Sequence, residues 1–588
     1  MRMEMKTRVA TNQFLESPIT TEIIRNALSS AAEEMNASLA RSSFSPIIYE
    51  MKDCSVGIFN RHAELLGQSA GLPIFLGNLD DCIKINTNYI GGVENYKPGD
   101  VYIMNDSYLT GTHLNDITVI SPVFYQEELV GFTANRAHWL DVAGQDPGFS
   151  MNATEIYQEG LRIPPMKIYD AGVPRKDVIN LITTNSRFSE AALGDLNAQI
   201  AACRTGEKRF HEIISRFGLE TVTRSISDIF RQSELLDREM IAQIEDGVYE
   251  AEGCLDNDGV SDELVNVKVK VTVEGENITI DLTGSSPQVR GMTNCGLAQT
   301  VSACRVAFKE LISPDAPVTG GNFKTLNVVV PKRTIFSAQQ PAACVFYYSA
   351  LGLLIDLVVK ALSPALKEKS AGAHYGDSMI ITFAGKDPRR NASFLNVEAT
   401  AGGWGGFFEN DGQSGLINNV NGDFKNLPIE VLEDKYPFKV TTYGFRTNSG
   451  GPGKNRGGLG IERGYEVLTD EAFLYLWLER SKTPAWGLFG GAEAAKPEVT
   501  IVEGDKEEKA LKVNAKPMKN GNKVIVRTGG GGGFGHPFER EASRVLDDVI
   551  DDYIDRQTAL EQYGVVIKPE VLEVDEQETA NYRKTNRK

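Results

Sequence analysis

The chain has 588 residues, 41% hydrophobic and 24% charged, with 56 glycines and a formal net charge of −18. That length exceeds what one hydrophobic core serves, so two or three domains of mixed α and β structure are expected. An acidic balance opposes a polyanion and excludes nucleic acid as partner. No run of about 18 apolar residues marks a membrane span, and Met1 to Thr11 lacks the apolar stretch of a signal peptide; a cytoplasmic protein is expected. Seven scattered cysteines form no C-x-x-C pair and read as reduced, mostly buried thiols.

The first element is a helix. Ser17-Pro18 and Thr20-Thr21 supply start signals, and Ile24, Leu28, Ala32, Met35 and Leu39 recur at helical spacing. Short apolar pieces then flank Asn60-Arg61-His62, and Val101 to Met104 ends in Asn105-Asp106, as strands and turns do. Residues 117 to 138 read as a hairpin: Ile117 to Tyr125 is apolar and β-branched, Gln126-Glu127-Glu128 is polar, and Leu129 to Thr133 resumes the strand. Two helices are expected, Phe188 to Phe217 and Glu220 to Glu245.

A second hairpin follows from strict alternation of Val265, Val267, Val269, Val271 and Val273, the turn Glu274-Gly275-Glu276-Asn277, then Ile278, Ile280 and Leu282. Residues 340 to 363 read as a buried helix, and glycine clusters break 400 to 535 into short strands. The charged tail ends Arg583-Lys584-Thr585-Asn586-Arg587-Lys588 and is expected to be mobile or to dock a partner. The fold class is α+β and multi-domain, with mixed and antiparallel sheets flanked by helices and a β-rich, Gly-rich C-terminal half. Expected units are 17–247, 248–400, 401–567 and the tail 568–588.

Six histidines make each one informative. Antiparallel pairing about a turn centred near residue 127 brings Asp116 opposite His138, with His113 one short loop away. Two imidazoles and one carboxylate from neighbouring backbone form a 2-His-1-carboxylate set, suited to Mn, Fe or Zn and leaving coordination positions open. The competing reading is a pair of hydrogen-bonding strand-end histidines. Asp53 and Asp141 are candidates for acid/base work beside such a metal; a turn cap for Asp53 and an anchoring carboxylate for Asp141 are the alternatives. Gly530, Gly532 and Gly535 fit a dinucleotide spacing, but a run of five consecutive glycines makes that match nearly automatic, and no G-x-x-x-x-G-K-[ST] occurs. A tight backbone approach is the preferred reading.

Several segments resemble the hydantoinase B/oxoprolinase family. They are Lys52-Asp53-Cys54-Ser55, Asn105-Asp106-Ser107-Tyr108, Gly111-Thr112-His113-Leu114-Asn115-Asp116 and Ala137-His138-Trp139-Leu140-Asp141. Gly194-Asp195-Leu196-Asn197-Ala198-Gln199, Asp281 to Val289, Ser449 to Gly458 and the glycines 529 to 533 continue the match, in family order, over about 17 to 567. Where many members carry His-Ile-Pro-Val-His, this chain has Gly71-Leu72-Pro73-Ile74-Phe75. The resemblance implies a metal on His113, Asp116 and His138. It implies further a hydantoinase A-type large subunit that holds ATP and Mg, a heterotetramer, and ATP-dependent opening of a small cyclic amide. Ketone carboxylase relatives make a bicarbonate-using carboxylase subunit the alternative, and a non-catalytic scaffold with a structural metal a third.

Overall fold

The computed structural model describes residues 14–586 and is α+β, with four sheets of antiparallel or mixed pairing. Met1 to Thr11, where no signal peptide is expected, lies outside the described residues, as do Arg587 and Lys588. No helix among the described residues is long and apolar enough to cross a membrane.

The first sheet comprises β1 (Cys54–Asn60), β2 (Leu65–Gln68), β3 (Val101–Met104), β4 (Asp116–Tyr125), β5 (Glu128–His138), β6 (Met166–Asp170) and β7 (Val173–Pro174), ordered β2-β1-β5-β4-β3-β6-β7. Every neighbouring pair in it is antiparallel. Helix Pro18–Ser42 buries Ile24, Leu28, Ala32, Met35 and Leu39, the stripe its spacing predicts. It packs with helix Ser189–Phe217 over this sheet, and helix Leu219–Ile241 adds to the layer. Contact is close: a Cβ on Gly67 would lie 2.8 Å from the Leu28 carbonyl, so only glycine lets strand and helix backbones meet there.

The alternating valines form β9 (Val265–Glu274) between β8 (Gly247–Leu255) and β10 (Asn277–Asp281), with β11 (Leu326–Val329) parallel to β10. Val265 to Val273 bury every second side chain under helix Tyr347–Leu362. The sequence expectation placed a helix from 340. The helix starts at Tyr347 because the preceding backbone is engaged elsewhere: the amides of Cys344 and Val345 donate to Glu159, and the Val345 carbonyl meets His113.

The C-terminal half carries two further sheets. Ala392–Glu398, Ile380–Asp387, Ala472–Trp477 and Lys512–Met518 form one; Phe438–Phe445, Ile461–Val467, Lys523–Arg527, Glu498–Glu503 and Lys506–Lys509 form the other. The glycine run threads between backbones: a Cβ on Gly531 would sit 1.9 Å from the Trp404 carbonyl, and one on Gly532 1.9 Å from that of Trp486. This is a packing device, as the crowding of carbonyls around it requires. Of the two readings of the tail, the mobile one is corrected. Glu576–Asn586 is a docked helix whose Arg583 donates to the carbonyls of Tyr563 (3.0 Å) and Arg540 (2.9 Å). All seven cysteines are free, and all but Cys254 are buried.

Candidate metal centre

The hairpin β4–β5 sets the site. Gln126 (φ 49°) and Glu127 (φ 68°) make a two-residue left-handed turn. A bulge between Val123 and Phe124 on the pairing ladder then shifts register by one residue, and Asp116 pairs with His138. β1 fixes β5 from its other side, pairing Cys54 with Ala137, and the His138 amide donates to the Asp53 carbonyl at 3.1 Å. His113 enters from the loop between Thr110 and β4, and its carbonyl accepts from the Asp116 amide at 3.2 Å. Three side chains are thereby brought to one point by main-chain pairing.

His113 Nε2 lies 3.0 Å from Asp116 Oδ1 and 3.1 Å from His138 Nδ1, and His138 Nδ1 lies 3.0 Å from the same Oδ1. Asp116 is fully buried, with His113 and His138 at 5% and 2% exposure, so no bulk water screens them. The opposite nitrogen of His113 faces the Val345 carbonyl at 2.9 Å. A carbonyl only accepts, so Nδ1 carries the proton, and Nε2 of the neutral ring points its lone pair inward. Tyr347 donates its hydroxyl to Asp116 Oδ2 at 3.0 Å, leaving Oδ1 to the two imidazoles.

This donor set fits a divalent metal. A proton on one ring cannot satisfy three mutual contacts near 3 Å, whereas a cation can. Two imidazole nitrogens and one carboxylate oxygen, 3.0 to 3.1 Å apart, are donor types that would together hold a divalent ion. The three are the group of His, Cys, Asp and Glu side chains among the described residues arranged to hold an ion.

Electrostatics follow from burial. Burial raises Asp116, but His113 and His138 outweigh it and hold its carboxyl below the usual carboxylate range. His113 is pulled down by burial, yet Asp116 and the Val345 carbonyl lift it above its ordinary value. Burial also dominates at His138, which lies below its ordinary value with His113 adding repulsion. Asp53 lines the same cavity with its Oδ1 buried and unbonded; burial and then the Asp116 charge push it well above the ordinary carboxylate value.

Asp141 is elsewhere. It does not line this cavity; it forms a 2.7 Å ion pair with Arg187 and accepts from the amides of Arg187 and Ala143. The cavity itself is ≈ 40 Å³, with Ile74, Phe75, Phe149, Tyr348, Ile380 and Phe424 among its walls. Phe75 thus presents a phenyl ring to the site, and Gly71 has no space for a side chain, since a Cβ there would meet Ser55 Oγ at 2.7 Å. Sequence reasoning missed Tyr347 and Glu159. Neither belongs to a periodic pattern near the histidines: Tyr347 reaches the site, and Glu159 the Cys344 and Val345 amides next to it, only through tertiary packing.

The fold is that of a known family. A family model for hydantoinase B/oxoprolinase matches residues 17–537, and the chain belongs to that family. It is 32% identical to the B-type subunit of a putative D-/L-hydantoinase from Pseudomonas sp. (strain NS671), over 97% of each chain. It is 31% identical to the beta subunit of the caprolactamase of Pseudomonas jessenii, over 94% of this chain and 96% of that one. The crystal structure of the ATP-dependent caprolactamase from Pseudomonas jessenii superposes with a TM-score of 0.89 at 29% identity, covering 97% of this chain and 100% of that one.

Proposed function

We propose that this chain is the metal-binding subunit of an ATP-dependent hydrolase of small cyclic amides, acting with an ATP-binding hydantoinase A-type subunit. The observation that carries the reading is the triangle of His113 Nε2, Asp116 Oδ1 and His138 Nδ1, with sides of 3.0 to 3.1 Å, buried beside an unbonded carboxyl oxygen. Those residues would hold a divalent Mn, Zn or Fe ion, which when bound supplies Lewis acidity to a carbonyl oxygen. The relatives named hydantoinase and caprolactamase support the substrate class. ATP and Mg belong to the partner, since the glycine run here is filled by backbone.

This chain's own residues supply the remaining chemistry. Amide opening requires a proton on the departing nitrogen, and Asp53, whose carboxyl burial pushes well above the ordinary carboxylate value, lines the cavity where it would deliver one. Tyr347 holds Asp116 in one rotamer through Oδ2. Arg187 holds Asp141, which anchors the loop after His138 rather than meeting substrate. A cavity of ≈ 40 Å³ admits an ion and a few waters but not a lactam, so substrate entry displaces part of the apolar wall. His113, Tyr347 and Phe424, far apart in sequence, line one space.

Combining the chain with its partner, ATP and a cyclic amide should release amino acid, ADP and phosphate, with negligible ATP turnover by this chain alone. Incorporation of labelled bicarbonate into a stable product, without ring opening, would overturn the reading in favour of a ketone carboxylase.

A further inference from the structure

A second cavity of ≈ 490 Å³ lies on the other side of the short helix Pro73–Leu76. Leu72, Ile74 and Phe75 face the metal centre, while Pro73, Leu76 and Gly77 face this larger pocket, so one turn of helix is the wall between them. Helix Leu297–Ile312 forms the far side and ties the wall in place: Gln299 and Ser302 donate to the Ile74 carbonyl at 2.7 and 2.8 Å, and Arg305 donates to that of Gly77 at 2.6 Å. Phe59, Leu65, Leu76, Val306, Val318 and Phe323 give the pocket an apolar body.

Its charges are unevenly matched. Asp80 pairs with Arg305 and Lys84 (both 2.9 Å), Lys324 pairs with Glu234 (3.3 Å), and Glu64 accepts from Asn60 (2.8 Å). Lys309 has no carboxylate partner among the described residues and donates to the Ser313 hydroxyl at 2.9 Å. The Glu310 side chain has neither hydrogen bond nor ion pair there. Burial lowers Lys309 although the more distant Asp237 and Asp315 charges oppose it, and burial together with the Asp356 charge raises Glu310 to about 8. Two neighbouring groups of opposite sign, each short of a partner, line a pocket of small-molecule size.

We infer that this pocket binds a small ω-amino acid, with its carboxylate on Lys309, its ammonium on Glu310 and its methylene chain against the apolar wall. The preference for a zwitterion rests on the pocket; the choice of an ω-amino acid also rests on the proposed function, because opening a cyclic amide releases that class of molecule. Binding there places product against the outer face of the helix whose inner face bounds the metal centre.

The test is calorimetry on the full chain with 6-aminohexanoate, hexanoate and hexylamine, three probes sharing a body and differing in charge. The zwitterion should bind at least about tenfold more tightly than either single-charge probe. Glu310→Gln, nearly isosteric, should remove the advantage over hexanoate, and Lys309→Met the advantage over hexylamine. Leu76→Trp, which fills the pocket without touching either charge, should abolish binding. All three effects should persist in a His113→Ala plus His138→Ala chain. Unchanged zwitterion binding in Glu310→Gln and Lys309→Met would overturn the inference, as would loss of binding in the histidine variant, which would place the ligand in the metal centre. Retained selectivity in a chain that opens no cyclic amide would count against the proposed function alone.

Discussion

Asp116 carries two loads: its Oδ1 faces both imidazoles while its Oδ2 takes the Tyr347 hydroxyl. Asp116→Asn keeps the shape but replaces an anionic oxygen by a weaker amide ligand. Ring opening should fall at least about a hundredfold and metal should be lost, with little change in melting temperature. A structural site would behave otherwise, because metal binding free energy would then be folding free energy and the melting temperature would drop sharply. Measuring both on one preparation separates the cases. Glu159 tests the same region through pH. Burial raises it from 4.5 to about 8, although the Cys344 and Val345 amides oppose the rise. Folded chain therefore retains a proton that the unfolded chain releases, so this group's stabilising contribution is full below about 4.5 and is lost as pH rises toward about 8. Glu159→Gln should remove up to on the order of 4 kcal/mol of that pH dependence, read as the wild-type minus variant difference in urea unfolding. Parallel pH profiles for the two proteins would contradict the assignment.

At the scale of elements, the hairpin was legible because β-branched runs and a polar turn leave few registers open. Its centre was one half-residue off: the turn is Gln126-Glu127, and the bulge near Val123 restores the pairing of Asp116 with His138. Neither turn residue is glycine or asparagine, although both have positive φ. Gln126→Asn plus Glu127→Gly should therefore stabilise the chain by roughly 1 kcal/mol, with metal content unchanged, in denaturant melts. A loss of stability would show that the side chains, not the backbone, hold the turn. The helix of 18–42 and the alternating valines of β9 were equally readable, since each buries one regular face. The stretch 340–346 was not. Its apolar residues mimic a helix start, but its amides and carbonyls serve Glu159 and His113, partners remote in sequence.

Over the whole molecule, one continuous buried cluster runs from Ile24 to Val526, and the metal centre lies where distant parts of the chain converge. Two histidines and an aspartate could be found from spacing because one hairpin and the short loop that enters it hold them; Tyr347, Phe149 and Phe424 could not, because no local pattern links them to it. Asp141 illustrates the same limit. Three residues from His138 in sequence, it turns to Arg187, and the carboxylates that line the cavity are Asp53 and Asp116. The most direct measurement is elemental analysis of the purified chain beside its His113→Ala plus His138→Ala variant. Roughly one divalent ion per chain is expected in the first and almost none in the second. Equal metal content in the two would contradict the central claim that this triangle is the metal centre.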